Sequence, residues 1–309
     1  MNRCKRLLVA LNLNEQDTAV IHYAGMISRV AASDELLFMH VVQMLELPTD
    51  IREKYPQLRE VPPDVARQQM VDRVRQYWEG HPQSQLRFEV VQGCPIVELV
   101  RCSRQRDVDL AIVGRASPPM HLGQICERMA RKAPCSVLIV PENSRPRISA
   151  ILVPVDFSSH SADALELALA LAGTGECPRV DCLHAFRVPL EYERTGTGYE
   201  EFAEEMRKSA LHCFAVLAAQ YDTGGVKLST DVVLDRNPAH AICQTIQRDK
   251  HDLVVMGSRG RSPAGAVLLG SITEHLIWTT KVPVLAVRQK GANATFLDAL
   301  LRKLKTEDE

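Results

Sequence analysis

The sequence contains no apolar run of the 18 or so uncharged residues that a membrane-spanning helix needs, so a bilayer span is excluded. It contains no Cys-x-x-Cys pair. Its nine cysteines are scattered and odd in number, a usage that points to free thiols in a reducing cytoplasm. No two histidines stand at metal-ligand spacing such as H-E-x-x-H, and zinc is not expected. Charge imbalance is also missing: 37 Lys+Arg face 38 Asp+Glu. Divided between Pro146 and Arg147, the chain has 19 basic and 17 acidic residues in its first part and 18 and 21 in its second. Neither part has the positive excess of a nucleic-acid-tracking surface. The N-terminus begins like a signal peptide, basic through Arg6 and apolar from Leu7. The run is short, meets Asn12 and lacks a small-residue cleavage site, so it reads as a buried strand.

What is present is an ordinary globular composition, with 46% apolar and 24% charged residues over 309 positions, enough for two domains that each bury a core. A repeat is visible directly. Leu7 to Asn12 matches Ile151 to Asp156 at an offset of 144, and Leu37 to Val41 matches Asp181 to Ala185 at the same offset. Asp109 to Gly114 matches Asp252 to Gly257 at 143, and Val137 to Val140 matches Val284 to Val287 at 147. Four strand-like segments recurring in order make the chain a tandem duplication. The short continuous apolar runs are those of strands covered on both faces, and helical patterns separate them. One follows a Ser158-Ser159 start and runs through Leu171. Another covers Glu200 to Ala219, with Phe202, Met206, Ala210, Phe214 and Leu217 on one face. Strands alternating with helices imply parallel pairing, right-handed crossovers and a doubly wound α/β sheet in each copy. The polar, proline-flanked stretch Pro141 to Pro146 reads as a linker. The expected domains are therefore 1–141 and 148–289, with 142–147 between them and an amphipathic tail over 290–309.

One motif carries chemistry. In the second copy Gly257-Ser258-Arg259-Gly260 is followed by nine residues and then by Gly270-Ser271. The first glycines come directly after an apolar strand and the last precedes a helix beginning near Ser271. Glycine lets backbone approach a ligand and tolerates positive φ. A helix N-terminus offers unpaired N–H groups and a positive dipole end to an anion. Ser271 adds a hydroxyl, and Arg259 and Arg261 add charge suited to phosphate.

Together with Val153-Pro154-Val155-Asp156-Phe157-Ser158, Leu183-His184-Ala185 and Pro238, this spacing resembles a tandem universal stress protein of the UspA superfamily over nearly all of residues 1–289. The resemblance implies five-stranded, adenine nucleotide alpha hydrolase-like sheets of order 3-2-1-4-5, packed as an intramolecular pseudo-dimer, with association of two chains left open. It implies a ligand crevice outside the carboxyl ends of the first and fourth strands. It also implies adenine and ribose contacts from Pro154, Val155, Asp156 and Ala185. Ribose and phosphate contacts would come from Gly257, Arg259, Gly260, Gly270, Ser271 and Thr273, with Met256 and Ile272 also among the nucleotide-binding residues. The ligand would be ATP, with or without Mg2+, or another adenine nucleotide. One position departs from the family: where a small glycine usually precedes the proline by two residues, this chain has Arg236, read as reaching the phosphates rather than obstructing the pocket.

The first copy lacks this apparatus. Asn12 replaces Asp156, Ser117 replaces Gly260, four residues are missing from the loop, and Pro118-Pro119 stiffens the remainder, with Gly123-Gln124 the nearest remnant of Gly-Ser. It is expected to keep the fold without binding ATP in the family manner. Asp156 has a second reading as a helix cap. The repeated His40 and His184 read as packing or backbone-bonded residues, and Cys94 and Cys135 as small hydrophobes rather than redox sensors. The leading functional reading is a cytoplasmic, non-catalytic regulatory stress protein that binds adenine nucleotide in its second copy. The alternatives are a scaffold or sensor without a working nucleotide site, and a slow ATP hydrolase. No nucleophile with an activating base is recognisable.

Overall fold

Val, Ile and Leu crowd the strands of this chain because both faces of each sheet are covered. In a computed structural model, which describes residues 4–43, 48, 54–55, 61–116, 123–173, 179–260 and 269–288, the chain divides into two units at Pro146/Arg147. The first unit runs β1 (Arg6–Ala10), α1 (Asp17–Ala31), β2 (Glu35–Val42), α2 (Pro63–Tyr77), β3 (Gln85–Gln92), α3 (Pro95–Gln105), β4 (Leu110–Arg115), α4 (Gly123–Lys132) and β5 (Ser136–Pro141). Its strands lie in the order β3-β2-β1-β4-β5, all pairs parallel. Leu7, Leu8 and Val9 of the central β1 are at most 1% exposed, and each such buried side chain contributes about 1.5–3 kcal/mol.

The second unit repeats the plan. It contains β6 (Ala150–Pro154), α5 (Ser159–Ala172), β7 (Arg179–Phe186), a 3-10 helix (Leu190–Thr195), α6 (Tyr199–Ala218), β8 (Lys227–Leu234), α7 (Pro238–Asp249), β9 (Leu253–Gly257), α8 (Ser271–Thr279) and β10 (Val284–Val287). The order is β8-β7-β6-β9-β10, again parallel, so the expected 3-2-1-4-5 order holds in each unit. Proline opens α2, α3 and α7 within their first turns, where its missing N–H costs no helical bond.

The duplication extends to side chains that no motif flagged. The Asp109 carboxylate accepts from the Lys5 and Arg6 amides at 2.9 and 2.8 Å, pinning the start of β1 beside β4. Its counterpart Asp252 accepts from the Ser149 and Ala150 amides at 3.0 and 3.1 Å. His40 Nδ1 lies 2.9 Å from the Leu11 carbonyl and His184 Nδ1 lies 2.7 Å from that of Val155, the backbone bond their repetition suggested. The expected linker is an ordered turn on the first unit: the Ser144 hydroxyl donates to Pro141 O at 2.7 Å and Tyr23 Oη donates to Arg145 O at 2.6 Å. The expected tail lies outside the described residues, as do the interior of the glycine loop and Ser117-Pro118-Pro119.

Candidate functional site

Parallel strands aim their carboxyl ends at one rim of the sheet, and order 3-2-1-4-5 reverses direction between the first and fourth strands, which leaves a crevice there. In the second unit that crevice is a cavity of about 290 Å³. Pro154, Val155 and Asp156 enter it from the end of β6, Ala185 from β7, and Met256, Gly257, Arg259 and Gly260 from β9 and the turn after it. Gly270, Ser271, Ile272 and Thr273 enter from the start of α8. Arg236 does not join them. It is exposed, and it is absent from the cavity wall as described. Ser161, Leu183, His184, Pro238 and Ile242 complete the lining; Ser161 and Ile242 carry no sequence signal that would have singled them out, whereas Leu183 and His184 belong to a repeated segment and Pro238 to the family resemblance.

The glycines serve space rather than dihedral freedom, because none of Gly257, Gly260 or Gly270 has a positive φ. A Cβ on Gly257 would meet His160 Cβ at 2.8 Å and Arg259 O at 2.9 Å, so α5 and the turn close against bare backbone there. A Cβ on Gly260 would lie 2.9 Å from Asp156 Oδ2. At Gly270 the nearest atom would be Thr273 Oγ1 at 3.4 Å, an ordinary contact. The left-handed residue at this rim is Phe157, φ 61°, matched by Leu13, φ 60°, in the first unit. Packing against His184 and Phe214, with ring centroids 4.7 and 4.9 Å apart, holds Phe157 in that conformation.

Helix starts around the crevice differ in how their amides are used. The Ser158 hydroxyl caps α5 by accepting from Ser161 N at 3.3 Å, and the Asn237 side chain caps α7. Asp156 supports the first of these: its Oδ1 accepts from Ser158 N at 3.0 Å and from Ser158 Oγ at 2.5 Å. The cap is thus Ser158, and Asp156 orients it while facing the cavity. Gly270, at the cap position of α8, has no side chain to offer, so among the described residues the first-turn amides of α8, whose residues line the cavity, meet no side-chain acceptor. Thr273, 2% exposed, donates its hydroxyl to Gly257 O at 3.1 Å, which fastens α8 to the end of β9. Arg259 is half-buried, and burial pulls its guanidinium below the usual value while leaving it charged at neutral pH. Such a set of amides, a cation and a hydroxyl suits anionic oxygens, and Val155, Leu183, Met256 and Ile272 add apolar wall to the same cavity. Neither His160, His240 nor His275 is among the lining residues described.

The first unit has the same crevice, shrunk to about 40 Å³ and lined by Ala10, Leu11, Asn12, Met39, Val41, Pro95, Leu99, Val113, Gly114 and Ile125. The space suits water rather than a drug-sized ligand. Val41 stands where the second unit has Ala185. Cys126 stands at the Thr273 position and donates its thiol to Gly114 O at 3.2 Å. Where the second unit has Ser161, the first has Asp17, 1% exposed. Its carboxylate accepts from Asn12 N at 2.9 Å and Leu13 N at 2.7 Å, so this unit's strand-to-helix turn is bound to an internal anion.

Comparison with known proteins agrees with this fold. The sequence model of the universal stress protein family matches residues 3–141 and again residues 148–288. A universal stress protein of Thermus aquaticus is 31% identical over 138 residues, covering 45% of this chain and 97% of its own length. One of Mycobacterium bovis is 28% identical over 213 residues, covering 66% of this chain and 69% of its own. The crystal structure of a universal stress protein from Archaeoglobus fulgidus superposes with a TM-score of 0.62 at 18% identity, covers 94% of this chain and 99% of that one, and shares the fold. Two matches of the family model, one for each five-stranded sheet, account for almost the whole chain, which therefore belongs to the universal stress protein family as a tandem pair of its domains.

Proposed function

We propose that the second unit binds an adenine nucleotide, ATP in the first instance, and that the protein acts by holding it rather than by turning it over. The observation that carries this reading is the uncapped start of α8 facing a cavity of about 290 Å³ beside backbone that leaves no room for a Cβ at Gly257. The residues fit the group. Amides of Ser271 and Ile272, the Ser271 hydroxyl and Arg259 suit phosphate oxygens, and the apolar wall at Val155 and Met256 suits a flat base. Asp156 accepts hydrogen bonds at the ribose end. Among the described residues no cluster of three or more acidic, histidine or cysteine side chains could hold a metal. Mg2+ would then arrive on the nucleotide's own oxygens. Among the described lining residues no nucleophile is hydrogen-bonded to a base. The eight described cysteines are all free thiols, in keeping with a reducing compartment.

Isothermal titration of the whole chain with ATP tests the proposal. One site per chain is expected, lost in Gly270→Val, whose added methyls enter the cavity mouth. Absence of heat with the wild-type protein, or two equivalent sites per chain, overturns it.

A further inference from the structure

The first unit presents a sheet edge away from its small crevice. β3 is the outermost strand of that sheet and, among the described residues, pairs only with β2. Gln85 N donates to Asp34 O at 2.8 Å and Gly93 N to Val42 O at 3.0 Å. Odd-numbered residues of β3 therefore bond inward. In a parallel pair the alternate residues face away, so Leu86, Phe88, Val90 and Gln92 turn their N–H and C=O groups outward. The corresponding edge of the second unit is guarded: the Arg207 guanidinium donates to the carbonyl of Val232, the residue that matches Val90 in strand position.

The open edge is framed by charge of one predominant sign. A concavity of about 340 Å³ wraps it, lined by Arg67, Arg87 and Arg106, with Glu89 the acidic member and Leu86 and Phe88 half-buried along its other side. Arg87 pairs with Glu35 at 2.9 Å and Arg106 with Glu89 at 3.0 Å, but all four side chains are at least 27% exposed. Exposed pairs of this kind are weak and exchange partners readily. Side chains alternate across the strand: Arg87 and Glu89 share the α3 side with Arg106, whereas Phe88 lies on the opposite side, stacked on Phe38 at 5.5 Å. A strand added to this edge would present alternate residues to arginine and to apolar surface.

We propose that β3 of the first unit takes up an extended acidic segment of a partner protein as an added strand. Acidic residues of that segment meet Arg87 and Arg106, and its intervening apolar residues meet Leu86 and Phe88. Backbone hydrogen bonds supply the attachment and the arginines the selectivity, the division of labour general to strand addition.

The probe is a fluorescein-labelled peptide of alternating Glu and Val, eight residues long like β3, followed by fluorescence anisotropy with the full chain at low salt. Saturable binding is expected. A Lys/Val peptide of the same length should bind at least about tenfold more weakly, and so should the Arg87→Ala/Arg106→Ala double variant. Methylating alternate backbone nitrogens of the peptide should weaken it similarly. Val90→Pro removes an outward N–H and none that bonds β2, so it should cost the sheet no ladder hydrogen bond while reducing binding. No saturable binding of the Glu/Val peptide overturns the proposal. Equal affinity for the Lys/Val or N-methylated peptide does so as well, as does capture of a single-stranded oligonucleotide where the peptide is refused.

Discussion

Replacing Gly270 by Ser should make the second unit more stable and a worse receptor, two effects of opposite sign from one hydroxymethyl group. A side chain at this position has room, since the nearest atom to an added Cβ is Thr273 Oγ1 at 3.4 Å, and the backbone at φ −63°, ψ 136° suits an L-residue. A serine hydroxyl there can accept from the first-turn amides of α8, an improvement on glycine of a few tenths of a kcal/mol. Loss of glycine's freedom in the unfolded chain adds about 0.4–1 kcal/mol. The sum, about 0.7–1.3 kcal/mol, corresponds to about 1–5 °C in the unfolding midpoint of a unit this size. The same hydroxyl takes up an amide proposed to serve the nucleotide. A hydrogen bond to a charged acceptor is worth about 1.5–3 kcal/mol, so ATP affinity should fall about ten- to a hundredfold. Calorimetric melting gives the first quantity and titration calorimetry the second. Trp78 and Trp278, one in each unit, assign the melting transition through their fluorescence. A variant that is less stable than wild type, or that binds ATP as tightly, refutes the reasoning.

Two further outcomes follow from the packing. Burial holds the Asp17 carboxyl above its ordinary value of 3.8, opposed by the Asn12 and Leu13 amides and by the Arg73 charge. The folded first unit thus binds a proton more readily than the unfolded chain, so its contribution to stability is fully present below pH 3.8 and is lost as pH rises through the folded value. Denaturant unfolding monitored at Trp78 should show that slope in the wild type and a flatter one in Asp17→Asn; equal slopes would count against it. Burial also pushes the thiols of Cys102 up to about 11 and of Cys126 and Cys182 up to about 12. Alkylation of the native protein at pH 8 followed by mass spectrometry should therefore label exposed Cys94 first and leave these three unmodified until unfolding.

Whereas the sheet order and the place of the crevice came from the family resemblance, the alternation of strands and helices and the duplication were legible because they depend on hydrophobic runs and their recurrence, which are one-dimensional properties. The glycine loop was legible for the same reason, since its spacing relative to β9 and α8 is a matter of chain length. Side-chain direction is not. Arg236 stands two residues before Pro238, close to the crevice along the chain, yet its side chain is exposed and outside the described cavity wall. Thr273, expected among the ribose and phosphate contacts, lines the cavity, and its buried hydroxyl also donates to Gly257 O, a bond no sequence pattern announces. The glycines suggested turns of positive φ, whereas Gly257 is required by the approach of His160, a neighbour nearly a hundred residues away that only the tertiary structure supplies. Asp17 gave no signal, because an acidic residue in the first turn of a helix is commonplace. Its burial against two amides is what shows that the first unit satisfies internally groups that the second leaves to other partners.

That internal carboxylate also bears on how the two halves can change. Converting Asp17 back to Ser would strand two amides without restoring the four residues missing from the neighbouring loop or trimming Val41 to Ala. Each single reversion is unfavourable or without benefit by itself. Making the first crevice resemble the second therefore requires several changes together, because the buried carboxylate, the shorter loop and Val41 act on the same small space.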